Sequence, residues 1–157
     1  MTMINQVKVF DNDVYVRREV AGNPNTPLET LKVLATDEDW FVRGCIGNNP
    51  NTSVVTLKVL ATDKDEYVRR RVALNPNTPA ETLKVLATDK SVGMRRFVAE
   101  NLNTPVETLK VLATDTNSLV RLNVSQNPNT PPETRWIARH LNQVKRSERQ
   151  SVKLRRD

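Results

Sequence analysis

The 157-residue chain has very little of what most enzyme and cofactor chemistry requires: one cysteine, Cys45, and one histidine, His140. A Cys/His zinc or iron–sulfur site built by this chain alone is therefore excluded, as is an intrachain disulfide. A Ser-His-Asp or Cys-His nucleophile system has nowhere to sit except around His140. Apolar runs stop after a few residues, against the roughly 20 that cross a bilayer, so no membrane span is expected. Residues 1–10 lack the apolar core and small-residue cleavage pattern of a secretory leader, and the lone cysteine agrees with a cytoplasmic, reducing location. Glycines number four and aromatics seven, while 38% of residues are hydrophobic and 27% charged, a balance that suits one domain at this length.

What the chain does have is repetition. The segment Asn23-Pro-Asn-Thr-Pro-Leu-Glu-Thr-Leu-Lys-Val-Leu-Ala-Thr-Asp37 returns from Asn49, Asn75 and Asn101, and its first half from Asn127, always 26 residues on and without insertion or deletion. A second series keeps the same spacing: Val16-Arg17, Val42-Arg43, Val68-Arg69, Met94-Arg95 and Val120-Arg121. Fixed spacing of this kind means one structural unit per period.

Each unit reads as two short helices. One starts after Asp13, Asp39, Asp65, Ser91 or Asn117, all good N-caps, carries apolar residues four apart such as Val42 and Ile46, and ends at Asn-Pro, where Asn can adopt the left-handed C-terminal conformation. The other, expected to be the longer, opens with Thr26-Pro27-Leu28-Glu29. Thr would be the N-cap, Pro the first helical residue and Glu the far side of a capping box, with Leu28, Leu31 and Leu34 as the core face. At Thr52 the box is broken by Ser53 and Val55, which makes that start the weakest. Helices this short are marginal alone in water, so stacking on neighbouring repeats must hold them.

The pattern Val-Arg-x-x-Val-Ala-x-Asn-Pro-Asn-Thr-Pro-x-Glu-Thr-Leu-x-x-Leu-Ala-x-Asp of residues 16–37 resembles the leucine-rich repeat variant family, a relative of HEAT-like helical arrays. The resemblance covers about residues 14–138. It implies an all-α, right-handed superhelix of about five two-helix repeats in which an α-helix alternates with a shorter helix, often of 3₁₀ type. Some members carry a cysteine-rich iron–sulfur segment ahead of the repeats; these residues contain none, so no cofactor is carried over. Residues 1–13 read as a degenerate cap, with Asn5 and Lys8 in the two leucine positions. Residues 139–157 read as a helix extension and basic tail, reached through Arg135 and Trp136 in place of Leu-Lys and an apolar stripe of Ile137, Leu141 and Val144.

Charge divides unevenly. Residues 1–126 hold 16 cations and 15 anions, and residues 127–157 hold eight and three, so most of the net +6 lies in the tail. Lys145, Arg146, Arg149, Lys153, Arg155 and Arg156 are candidate phosphate contacts there, with Arg69 and Arg95 from the arginine ladder. The ladder has a competing reading as an inter-repeat brace, because Asp37, Asp63, Asp89 and Asp115 each precede an arginine by six residues. The Asn ladders read as turn chemistry. Lys32, Lys58, Lys84 and Lys110 read as a solvated stripe, Cys45 as a packed small residue, and His140 as non-catalytic.

Positions that vary between repeats are the best pointer to use, since a modular binder keeps its stacking face uniform and changes its contact face. They fall on the helix after Asp39 and its equivalents, where Trp40, Phe41 and Tyr67 stand out beside Arg70, Arg71 and Arg96. Aromatics and arginines are the usual anchors of interfaces. The expectation is a non-enzymatic module binding a protein or peptide through Trp40, Tyr67, Arg70, Arg71 and Arg96, with nucleic acid as the second partner class. A HEAT-like base-excision glycosylase is a third reading that no unassigned carboxylate supports.

Overall fold

The computed structural model describes residues 12–141 and residue 143. Among these residues every regular element is helical, and the elements alternate in two lengths. Nine-residue A helices are α1 (Val14–Gly22), α3 (Trp40–Asn48), α5 (Glu66–Leu74), α7 (Val92–Glu100) and α9 (Ser118–Gln126). Seven-residue B helices are α2 (Leu28–Leu34), α4 (Val54–Leu60), α6 (Ala80–Leu86) and α8 (Val106–Leu112), and α10 covers residues 132–141. The result is an all-α repeat solenoid. The A helices pack on one another in sequence, whereas each B helix rests chiefly on the A helices flanking it in the chain.

The five A-helix caps form as the sequence indicates: the side chains of Asp13, Asp39, Asp65, Ser91 and Asn117 each accept a backbone N–H of the first turn. Val42, Ile46, Val68, Val72, Met94, Val98, Val120 and Val124 from these helices close over Leu31, Leu34, Leu57, Leu60, Leu83, Leu86, Leu109 and Leu112 from the B helices to make one continuous core.

The second helix departs from expectation in several ways. It is the shorter of the two, and the A helix, expected to be the shorter and of 3₁₀ type, is a nine-residue α-helix. Its N-cap is Pro27, Pro79 or Pro105, none with a side-chain cap, so the Thr-Pro-x-Glu capping box does not form. The threonine hydroxyl donates instead of accepting: Thr26 Oγ1 reaches the Val20 carbonyl at 2.6 Å, Thr52 the Ile46 carbonyl at 2.6 Å and Thr78 the Val72 carbonyl at 2.6 Å. Each bond gives a last-turn carbonyl of the preceding A helix a second donor beside the backbone N–H of its C-cap asparagine. Ser53, which breaks the box in sequence, is the B-helix cap that does accept, taking the Thr56 N–H at 3.1 Å. Leu28 lies 56% exposed and is not core, and Val33, Val59, Val85 and Val111 also face outward.

The A helices end without a left-handed residue. Asn23, Asn49, Asn75, Asn101 and Asn127 have φ between −64° and −73° and extended ψ. Four of the five precede proline, whose ring excludes the helical region for the residue before it. Their side chains do more than close a turn. Asn75 Nδ2 donates to the carbonyls of Gly47 (2.9 Å) and Asn49 (3.0 Å) of the previous repeat, while its Oδ1 accepts the Asn77 N–H at 2.8 Å. Asn49, Asn101 and Asn127 repeat the arrangement one unit apart.

The arginine ladder provides the second joint. Arg43 Nε and Nη2 grip the Asp63 carboxylate at 2.6 and 3.1 Å, and Nη1 donates to the Asp37 carbonyl at 2.8 Å. The aspartate six residues earlier thus supplies its backbone, and the carboxylate comes from twenty residues later. Arg17–Asp37, Arg69–Asp89 and Arg95–Asp115 are the same joint. At the last rung Arg121 still donates to the Asp115 and Thr116 carbonyls, but Leu141 stands where an aspartate would be counted, and the buried Nε has no partner.

Candidate functional site

Repeat symmetry places Tyr15, Phe41, Tyr67, Gly93 and Leu119 in one row along the A helices, and Arg18, Gly44, Arg70, Arg96 and Leu122 in a second row three residues on, hence on the same helix face. These rows vary between repeats while the joints beneath them do not. The face they form is the candidate site.

At its N-terminal part the rings of Trp40, Phe41 and Tyr67 meet in a cluster. Trp40 stands edge-on to Phe41 (centroids 5.6 Å apart, 75°) and to Tyr67 (5.0 Å, 83°), and Phe41 stacks on Tyr67 at 5.5 Å and 17°. Phe41 and Tyr67 are half-buried and Trp40 is 44% exposed. The cluster is possible because Gly44 has no side chain: a Cβ there would collide with the Tyr67 ring. Gly47, one turn on, lets Arg71 and Val72 of α5 come close to α3.

Guanidinium groups flank the rings. Arg18 lies over Phe41 at 4.8 Å and over Tyr15 at 5.6 Å, and makes a two-pronged bond to Asp39 at 3.1 and 2.9 Å. That bond, with the backbone N–H groups of α3, outweighs the opposing effect of burial and holds the Asp39 carboxyl below its usual range. Arg71 covers the Tyr67 ring at 4.7 Å and donates to its hydroxyl at 2.7 Å, and Arg70 lies over Phe97 at 4.6 Å. Arg96 is half-buried, with its Nε unpartnered, and its carbonyl accepts from Asn123 at 3.3 Å. Beyond it Leu119 and Leu122, each 48% exposed, end the face in aliphatic surface. Burial raises the Cys45 thiol despite the nearby charges of Arg71 and Arg18, which keeps it protonated and unreactive.

The five sequence-predicted contacts, Trp40, Tyr67, Arg70, Arg71 and Arg96, therefore lie on three consecutive A helices of one face. Phe97 and Arg18 are partners that sequence reasoning missed. The signal was available: Arg70 and Phe97 are one repeat plus one residue apart, which sets them side by side on adjacent A helices. Arg69 and Arg95 are not available as phosphate contacts, because Asp89 and Asp115 occupy their guanidinium groups and their side chains are 11% and 15% exposed. Lys145, Arg146, Arg149, Lys153, Arg155 and Arg156 lie outside the described residues, as do Asn5, Lys8 and Val144.

No enclosed catalytic pocket emerges among the described residues. An open cleft of about 570 Å³ between the third and fourth repeats is lined by Lys64, Glu66, Arg69, Asp89 and Lys90, yet Asp89 is bound by Arg69 and Glu66 accepts from the Ser91 hydroxyl. His140 stacks on Trp136 at 4.9 Å, with Nδ1 2.9 Å from the Trp136 carbonyl. Among the described residues no cluster of three or more His, Cys, Asp or Glu could hold a metal, and no helix is long and apolar enough to cross a membrane.

The family model for the leucine rich repeat variant matches residues 16–39 and 68–91, two copies of the A–B unit just described. Two of its units thus match the leucine rich repeat variant model, and the chain is a helical repeat protein. Among solved structures it is similar to one described as a leucine-rich repeat variant with a novel repetitive protein structural motif, at 25% identity and a TM-score of 0.39. That match covers 83% of this chain and 66% of the other, so the chain spans just under two thirds of that structure's length. No curated protein matches. In this helical array the joints repeat from unit to unit up to Arg95, and the A-helix face is individual.

Proposed function

We propose that the chain is a non-enzymatic scaffold whose A-helix face binds a protein or peptide segment, with Trp40, Tyr67, Arg70, Arg71 and Arg96 as contacts. The observation that carries this reading is the aromatic cluster. Three rings and their covering arginines stand together on α3 and α5 with Trp40 44% exposed, although the neighbouring joints already hold those helices in place. Rings preset by stacking lose little freedom on contact, and Trp, Tyr and Arg are the residues that concentrate binding energy at interfaces.

The test is selection of a displayed random nonapeptide library on the full chain. Enriched clones are expected to lose binding at least tenfold to the variant Trp40→Ala/Tyr67→Ala, whose helical circular dichroism stays that of the parent. Failure to enrich any clone, or clones indifferent to the double substitution, would refute the assignment.

A further inference from the structure

The arginines of the solenoid fall into two classes, and the division points to what the face takes. Arg17, Arg43, Arg69 and Arg95 each hold an aspartate of the next repeat. Arg70, Arg71 and Arg96 form no ion pair with any described residue. Arg70 and Arg71 are nonetheless held in position, their guanidinium carbons 4.6 Å from the Phe97 ring centre and 4.7 Å from that of Tyr67, with one Arg71 N–H on the Tyr67 hydroxyl. A guanidinium held over a ring keeps several N–H groups for other acceptors, and a carboxylate is the acceptor that suits them best. Arg96 adds a buried Nε with no acceptor.

The chemistry is ordered along the face. The ring cluster (Trp40, Phe41, Tyr67) spans α3 and α5, the three cations without an ion pair (Arg70, Arg71, Arg96) span α5 and α7 with Phe97 among them, and exposed leucines (Leu119, Leu122) stand on α9. From the interhelical spacing of roughly 8–10 Å, the three steps between α3 and α9 span about 24–30 Å. An extended chain covers that distance with about eight or nine residues. These three cations occupy the middle step, and the same row carries Gly44 and, before it, Arg18, whose charge Asp39 takes up, with Leu122 after them. A continuous phosphate backbone would find nothing to hold at the leucine end.

On the reading that this face is the binding site, we propose that its ligand is an acidic peptide segment of about nine residues. Two or three carboxylates at its centre meet Arg70, Arg71 and Arg96, and apolar side chains near its ends meet the aromatic cluster and Leu119 with Leu122.

The experiment compares the nonapeptide selection on the parent chain and on Arg70→Glu/Arg96→Glu. Anisotropy of the leading labelled clone follows, in competition with a twelve-residue oligothymidylate. Clones from the parent are expected to carry Asp or Glu at central positions and to bind the variant at least 30-fold more weakly, and the variant is expected to select Lys or Arg there. Clones that depend on Trp40 and Tyr67 but lack central acids would overturn this inference while leaving the binding face intact. Absence of any enriched clone would remove both. Displacement of the leading clone by oligothymidylate at micromolar concentration would reassign the arginines to phosphate.

Discussion

Replacing Asn75 by alanine removes one side chain and three hydrogen bonds, two of them buried. Asn75 is 1% exposed, and its amide donates to the Gly47 and Asn49 carbonyls while accepting from the Asn77 N–H. At roughly 1 kcal/mol per bond, with two carbonyls and one N–H left dry, the expected loss is about 3–4 kcal/mol. Asn23 is the control, since it has the same turn and the same bond to the N–H two residues on (Asn25, 2.9 Å) but no upstream carbonyls among the described residues to receive its amide nitrogen. Asn23→Ala should therefore cost about 1 kcal/mol or less. Urea unfolding of the full chain, followed by helical circular dichroism, reads the difference. With a denaturant slope of about 1–3 kcal/mol/M, Asn75→Ala should lower the midpoint by more than 1 M and Asn23→Ala by less than half of that. Equal losses at the two positions, within about 0.5 kcal/mol, would show that the asparagines act only as local turn formers and refute the inter-repeat account.

Further expectations follow from the other joints. Arg69→Met leaves Asp89 without its cation and should cost about 3 kcal/mol, whereas Arg121→Met removes two bonds to backbone carbonyls but no ion pair among the described residues and should cost about 1–2 kcal/mol by the same urea measurement. Burial works to raise the carboxyls of Asp63, Asp89 and Asp115, but arginine and backbone N–H bonds outweigh it and hold all three below their ordinary range. A carboxyl with a lowered folded pKa contributes stability that is complete above the unfolded value, near 3.9, and lost as pH falls through the folded value. The thermal midpoint should accordingly stay level from pH 7 to about 5 and fall below about pH 4, and Asp63→Asn should shallow that fall; an acid limb unchanged by this substitution would contradict the assignment. Gly44→Ala gains about 1 kcal/mol of helix propensity but forces the Tyr67 ring out of its stack, so a net loss of about 1 kcal/mol with a red-shifted Trp40 emission is expected. A stabilised protein with unchanged emission would mean that the ring yields freely.

The period, the two helices per unit, the A-helix caps and most of the core were legible because they depend on local patterns: an Asp, Ser or Asn before an apolar pair four apart can do little else. Errors arose where one side chain has two uses. Thr26 can cap by accepting or close the previous helix by donating, and the sequence does not say which backbone group is nearer. Arg43 lies six residues after one aspartate and twenty before another, and the choice between them is made by how far α3 stands from the next repeat. Leu28 continues the spacing of Leu31 and Leu34, but the helix begins at Leu28 and its first turn already projects beyond the A layer. The candidate face was visible as a set of variable positions. That Gly44 makes room for Tyr67, and that Phe97 sits under Arg70, required the packing of adjacent A helices.

The two joints also bear on how such a protein can change. The bonds of Asn49, Asn75, Asn101 and Asn127 to the preceding unit, and of Arg17, Arg43, Arg69 and Arg95 to the following one, recur at the same points, so the scaffold behaves like a one-dimensional lattice whose bonds repeat under a translation of 26 residues. Inserting or deleting a whole unit would leave each joint with a partner. The A-helix face has no such symmetry: a unit inserted between the second and third repeats would part Phe41 and Trp40 from Tyr67 while disturbing no bond beneath them. Length and message are thus separately editable in this chain, and recombination between its near-identical B segments would rewrite what the face reads without endangering the fold.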